Sequence, residues 1–266
     1  MLLPAGTILT LAAILVVVAL TWLHHARASR GAVTARRPLP ALDTLRAALG
    51  RGAETGQPVH VSPGASALGA GDGSRATTAE LIAGLLTAER VAEEAALNGA
   101  PILVSSNDIV AHLALRGGVR QAYQIAGQAQ DYDPARVQLL AHHDDLAYAV
   151  GVTTLQGRQP LEASATIGSF GQEYLLIGED AAQRGLPQVA GSAGPVALPL
   201  MVLTTPATLI GEEVYATPAY LAPPGPTQAR LLTQDTLRTA VIVLLALGFV
   251  YTLVQPALGL PPLPGL

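Results

Sequence analysis

The chain contains no cysteine. Disulfides, thiolate-bound metals and cysteine nucleophiles are therefore excluded. It contains no lysine either, so every basic side chain is an arginine and a P-loop lysine is ruled out. Charge of either sign is scarce, at 13% of 266 residues, where a soluble domain carries about 25%. A net charge of −4 and an aromatic content of 4% argue against nucleic acid as a partner, because its binding needs a basic surface or a stacking platform. Hydrophobic residues reach 50%, and their distribution carries the main signal.

Two uncharged apolar runs stand at the ends, over residues 2–23 and 239–255. Each is close to the ~20 residues that cross a bilayer as a helix, so both are read as transmembrane helices. Trp22 and Tyr251 stand near their ends, where amphipathic rings favour the interface. A cleaved signal peptide is the rival reading of the first run, with Ala26-Arg27-Ala28 imitating a cleavage site. No basic residue precedes that run, and it exceeds the ~7–15 residues of a signal core, so an uncleaved anchor is expected. Arg27, Arg30, Arg36 and Arg37 follow the first run, and Arg230 and Arg238 precede the second. Arginine-rich flanks stay in the cytoplasm, so both termini are expected outside and the middle inside. Ala12, Ala13, Ala19, Ala240, Ala246 and Gly248 permit close helix packing. The expected partners are thus the lipid bilayer and a homo-oligomer or a partner membrane subunit.

Residues 24–40 read as a basic, proline-containing linker and 222–238 as a Pro-rich one, with a tail over 256–266. Between the linkers, residues 41–221 alternate short apolar runs with helical patterns. Strands are expected at 59–61, 102–104, 137–140, 163–167, 188–190 and 200–203. Helices are expected at 77–98, at 109–126, from the acidic pair at 144–145 through 155, after Glu173, and from Pro206 to Tyr215. Thr77 and Glu80 have the spacing of a capping box, and Gly99 suits a helix stop. Strand, polar turn and helix in repetition predict an α/β fold: a Rossmann-like, open, mostly parallel sheet with helices on both faces. The strands read as near-continuously apolar, as in a sheet covered on both sides. Residues 185–211 are uncharged and have a rival reading as a third membrane segment. Pro187, Pro195, Pro199 and Pro206 oppose it.

Ligands of open parallel sheets bind beyond the carboxyl ends of the strands, and polar residues gather at those expected ends. Ser62 follows the first strand, and Ser105, Ser106, Asn107 and Asp108 the second. His142, His143, Asp144 and Asp145 follow the third, Ser169, Gln172 and Glu173 the fourth, and Thr204 and Thr205 the sixth. These are the ligand-binding candidates, although the same residue types also cap helices. The run His142-His143-Asp144-Asp145 offers metal-type donors, but side chains adjacent in sequence diverge, so no metal ligand set is assigned. Ser105 or Ser169 as a nucleophile needs a histidine in reach, and no G-x-S-x-G elbow surrounds either. Gly69-Ala70-Gly71-Asp72-Gly73 offers amides to an anion, yet it lacks G-x-G-x-x-G spacing and carries a repelling Asp72, so it reads as a surface loop. No cofactor and no catalytic residue is assigned.

Five segments carry a likeness: Arg37-Pro38-Leu39-Pro40-Ala41-Leu42, Val59-His60-Val61-Ser62-Pro63-Gly64, Leu103-Val104-Ser105-Ser106-Asn107-Asp108, Gly171-Gln172-Glu173-Tyr174-Leu175-Leu176-Ile177-Gly178-Glu179 and Leu232-Thr233-Gln234-Asp235. Through them the chain resembles an uncharacterised prokaryotic membrane-domain family, a domain of unknown function. The resemblance implies a membrane protein and brings no activity with it. Three functions are compatible with the sequence. The first is a membrane-anchored, non-enzymatic binding or assembly module. The second is a hydrolase or metal-dependent enzyme using Ser105, Asn107, His142 and Asp144. The third is a subunit of a transporter or pore.

Overall fold

The computed structural model describes residues 5–28, 37–66, 75–222 and 228–258. Residues 29–36 of the basic linker, 67–74 of the glycine-rich stretch, 223–227 of the Pro-rich linker and 259–266 of the tail lie outside the described residues. The chain divides into two units, the terminal segments and Arg37–Ala222.

In the first unit, α1 (Ala5–Ala28) lies against a long helix, α9 (Gln228–Leu258). The buried His24 Nε2 meets Thr236 Oγ1 at 3.1 Å. That contact joins the end of one helix to the beginning of the other, so the pair is antiparallel. Large apolar side chains are nonetheless left exposed, among them Leu15, Trp22, Leu244, Leu245 and Phe249. Helix α9 is long and apolar enough to cross a membrane over Leu231–Phe249. That span starts earlier than residue 239, because residues 228–238, expected in the linker, are already helical. The apolar stretch found in α1, Ala13–Arg27, is shorter than a span. The structure thus supports one membrane-crossing helix where the sequence suggested two; the expected first span begins at residue 2, outside the described residues.

The second unit opens with α2 (Pro40–Thr55), which buries Leu42, Leu45 and Leu49 at helical spacing. There follow β1 (Val59–Gly64), α3 (Arg75–Asn98), β2 (Ile102–Ser106), α4 (Ile109–Ile125), β3 (Val137–Leu139) and α5 (Asp145–Arg158). Next come β4 (Ala163–Ser169), α6 (Tyr174–Gln183), β5 (Gln188–Ser192), α7 (Ala197–Thr204), β6 (Ala207–Ile210) and α8 (Glu212–Leu221). The six strands form one sheet in the order β3-β2-β1-β4-β5-β6, with every pair parallel. This is the doubly wound order of dinucleotide-binding folds. Parallel crossovers are right-handed. A chain that first winds one way from β1 and then the other way from β4 therefore puts helices on opposite faces. One apolar core joins α2, α3, α4 and α8 to the sheet, and a second lies under α5, α6 and α7.

Three local expectations are corrected. Residues 200–203 belong to α7, not to a strand; the sixth strand is β6, over residues expected in a helix from Pro206, and that helix, α8, starts only at Glu212. A four-residue apolar run suits a buried helix as well as a strand, and only the pairing of Val189 with Ala207 through Ser192 with Ile210 decides between them. The same pairing places residues 188–210 in the sheet and its α7 crossover rather than in a membrane segment. Helix α3 starts at Arg75, so Thr77 is inside it rather than capping it. Glu80 reaches instead to the end of β5, where its Oε1 accepts from Ser192 Oγ at 2.6 Å, from Gly194 N at 3.2 Å and from Ala193 N. Gly99, at φ +71°, does end α3 as expected, with Ala100 N donating to Ala95 O at 2.9 Å.

Candidate functional site

The sheet order reverses between β1 and β4, which is where open α/β sheets hold their ligands. The two strands leave this point through an unusually close crossing. Gly64 at φ +137° and Gly168 at φ +144° lie side by side. A Cβ on Gly64 would strike the Ser169 backbone, and one on Gly168 would strike the Pro63 carbonyl. Gly84 of α3 packs on the same spot; its Cβ would sit 2.6 Å from Ile167 O. Only glycine lets three backbones meet here. Beyond the crossing, Ala65 N donates to Ser169 O at 2.9 Å, and Ser169 Oγ donates to Ser66 Oγ at 2.9 Å.

From β2, Asn107 Nδ2 donates to Ala65 O and to Asp145 Oδ1, the latter at 2.9 Å. Asn107 is 1% exposed, and its Oδ1 has no partner among the described residues. Asp108 caps α4, its Oδ1 accepting from Ala111 N at 2.8 Å. Its Oδ2 lies 3.0 Å from His143 Nε2. His143 is held at φ +59°, the one described non-glycine residue with positive φ, and its N–H donates to Asn107 O at 3.0 Å. The His142 and His143 rings lie 4.1 Å apart at 57°. Asn107, Asp108, His142, His143 and Ser169 therefore gather at the carboxyl edge. The first turns of α4, α5 and α6 also expose Ile109, Val110, Leu146 and Leu175, so this edge is apolar as well as polar.

Other candidates go elsewhere. Asp144 caps α5 by accepting from Ala147 N at 2.8 Å. Gln172 is exposed, and Glu173 Oε1 accepts from Gly171 N at 2.6 Å within its own loop. Ser106 belongs to β2 itself and meets His112 Nδ1 of α4 at 3.3 Å. Thr204 and Thr205 close α7 rather than following a strand, and Thr205 Oγ1 meets Tyr174 OH at 2.9 Å.

Ser62 and Ser105 also lie within strands, in a fully buried polar network on the face covered by α5. His60 Nδ1 meets Ser164 Oγ at 2.9 Å, and His60 Nε2 meets Ser105 Oγ at 2.8 Å. One ring nitrogen donates and the other accepts. Tyr148 OH joins Ser105 Oγ at 2.7 Å and Ser62 Oγ at 2.5 Å. Burial lowers the His60 pKa to about 4. It pushes the Tyr148 phenol up to about 12, against the pull of the hydrogen bonds from Ser105 and Ser62. Both groups are therefore neutral at pH 7. Ser105 thus spends its hydroxyl on His60 and Tyr148, inside the core.

The strands are consequently not continuously apolar. His60 and Ser62, Ser105, and Ser164 and Thr166 form a polar stripe across β1, β2 and β4, with His60 in register with Ser164 and Ser62 with Thr166. His60, Tyr148 and Ser164 carry no assigned role in the sequence alone, and Glu80 carries only that of a capping-box partner. The signal available was the period-two alternation in Val59-His60-Val61-Ser62 and Ala163-Ser164-Ala165-Thr166. At the opposite, amino edge a cavity of ≈ 410 Å³ opens beside Pro101, Tyr123, Asp131 and Arg136, away from the switch point.

No curated protein and no solved structure matches the chain. A family model matches residues 4–260, and the chain therefore belongs to the family described as a domain of unknown function, DUF6754.

Proposed function

We propose that this protein is a membrane-anchored binding module whose α/β domain takes a small ligand at the carboxyl edge of its sheet, beside the β1/β4 switch point. The single observation carrying this reading is the convergence of Asn107, Asp108, His142, His143 and Ser169 on that edge, in a sheet of the doubly wound order. Binding is favoured over hydrolysis because the Ser105 hydroxyl is committed to the core network. The exposed apolar first turns favour a ligand with both polar and apolar parts. The test is the thermal unfolding of the full chain in detergent against nucleotides, dinucleotides and small amphipathic acids. A ligand at 100 times its Kd stabilises by about 2.7 kcal/mol, an upward shift of several degrees for a domain of this size. Asn107→Ala should abolish that shift. A panel without any stabiliser sinks the reading.

The anchoring half rests on α9 and on the apolar surface that the α1–α9 pair leaves exposed. Both helices cross the bilayer in this reading, with the termini outside and the α/β domain in the cytoplasm, as the flanking arginines direct. The exposed helix faces then meet lipid, further copies of the chain or a partner membrane subunit. A chain with no cysteine makes the topology directly measurable. A cysteine at the exposed Gln130 should react with an impermeant maleimide only after the cells are permeabilised. Labelling in intact cells would put the domain outside.

A further inference from the structure

We infer that Asp108, His142 and His143 form a binding site for a divalent transition-metal ion, with zinc the best chemical match. One donor atom from each residue can be chosen so that all three lie within 4.8 Å of one another. Ligands about 2.1 Å from a tetrahedral zinc sit roughly 3.4 Å apart, so small side-chain rotations close the set. Asp108 Oδ2 and His143 Nε2 are already 3.0 Å apart.

Adjacent residues of an extended chain point to opposite sides, which is why the sequence alone argues against His142 and His143 sharing an ion. The φ of +59° at His143 removes that objection. It turns the chain sharply and brings the two imidazoles to 4.1 Å. Histidine, with asparagine and aspartate, is among the non-glycine residues that adopt the left-handed region most readily.

The surroundings are those of a ligand set held from behind. Ala111 N fixes the Asp108 carboxylate through the oxygen that does not face His143, and Asn107 O holds the His143 backbone. Such outer contacts orient metal ligands. Asp108 is 2% exposed whereas both histidines are exposed, so the ion would have protein on one side and open coordination positions on the other. Two imidazoles, one carboxylate and an open position match the ligand types of catalytic and substrate-binding zinc sites rather than closed structural ones. Asn107, the residue before Asp108, keeps a buried Oδ1 without a partner among the described residues. The inference does not need the organic ligand proposed above, since metal binding and ligand binding are read separately.

The test is calorimetric titration of zinc chloride into the full-length protein in detergent, purified without a polyhistidine tag and stripped with chelator. One zinc per chain is expected. Asp108→Asn keeps an oxygen to cap α4, and His143→Gly suits the positive φ, so both variants should fold. Each should lower zinc affinity by more than ~100-fold, beyond the ~10–100-fold that an outer contact is worth. His112→Ala, on α4 and outside the trio, should leave the titration unchanged. Absence of stoichiometric zinc binding, or equal affinity in the wild type and the two folded variants, overturns the inference. Near-ultraviolet circular dichroism at matched concentration establishes that the variants are folded.

Discussion

Alanine at position 168 is expected to destabilise the α/β domain severely. Two costs add. At φ +144° the backbone occupies a region that is essentially glycine-only. The new Cβ would also overlap the Pro63 carbonyl of the neighbouring strand, and Gly84 of α3 closes the space behind it. Neither strand can give way, because Ala65 N and Ser66 N are bonded to Ser169 O at 2.9 and 3.3 Å. A loss of more than about 4 kcal/mol is expected, which belongs to the severe tail of single substitutions. Whole domains are stable by only about 5–15 kcal/mol. Limited trypsin digestion of the full chain in detergent reads the result. The wild-type domain should resist, and the variant should be cut within the domain at sites such as Arg116 and Arg136. Gly50→Ala is the control. No atom lies within 4 Å of its Cβ, and it sits within α2, so the alanine should gain up to ~1 kcal/mol from helix propensity. Equal protease resistance of Gly168→Ala and wild type would refute the close crossing at the switch point.

The second large effect is a loss of stability in acid that originates at His60. Its pKa is about 4 in the folded protein and about 6.5 in an unfolded chain. The unfolded state therefore binds the extra proton first. Stability is complete above about pH 6.5 and falls as pH drops towards 4, by about 3 kcal/mol in total. Other groups titrate in the same interval, so the measurement is a difference. Chemical denaturation at pH 7.5 and 4.5 is compared for the wild type and His60→Gln, which keeps a donor and an acceptor without a titrating ring. The wild type should lose some 2–3 kcal/mol more than the variant across this interval. Identical pH dependence of the two proteins would mean that the ring is not buried between Ser164 and Ser105.

That network explains why the domain was only partly legible as a sequence. Strands of six and seven residues with His60 and Ser164 inside them still read as strands, because the flanking valines and alanines dominate and the turns are polar. What the hydroxyls do depends on partners 43 to 104 residues away, as in Ser105 with Tyr148 and His60 with Ser164. No local pattern records such a distance. Ser62 and Ser105 were expected at an open edge. They lie in the core instead, since β1 and β2 each run two or three residues past the apolar stretch that marked them. Asn107 and Asp108 do lie past the end of β2, because the strand end, the helix cap and the start of the apolar helix coincide there.

The amino-acid sequence by itself determined the apolar terminal helices, the alternation of strand and helix, and the class of sheet. Each of these follows from the period and length of hydrophobic runs, which are local properties. Tertiary structure alone decided the order of the strands, the exchange of residues 200–203 for β6, and the fate of each polar side chain. Strand order depends on which backbone edges find each other, and a four-residue apolar run is compatible with either outcome. The left-handed turn at His143 belongs to the same class. Nothing in His142-His143 taken alone brings the two rings together; the bonds from Asn107 and Asp108 do so.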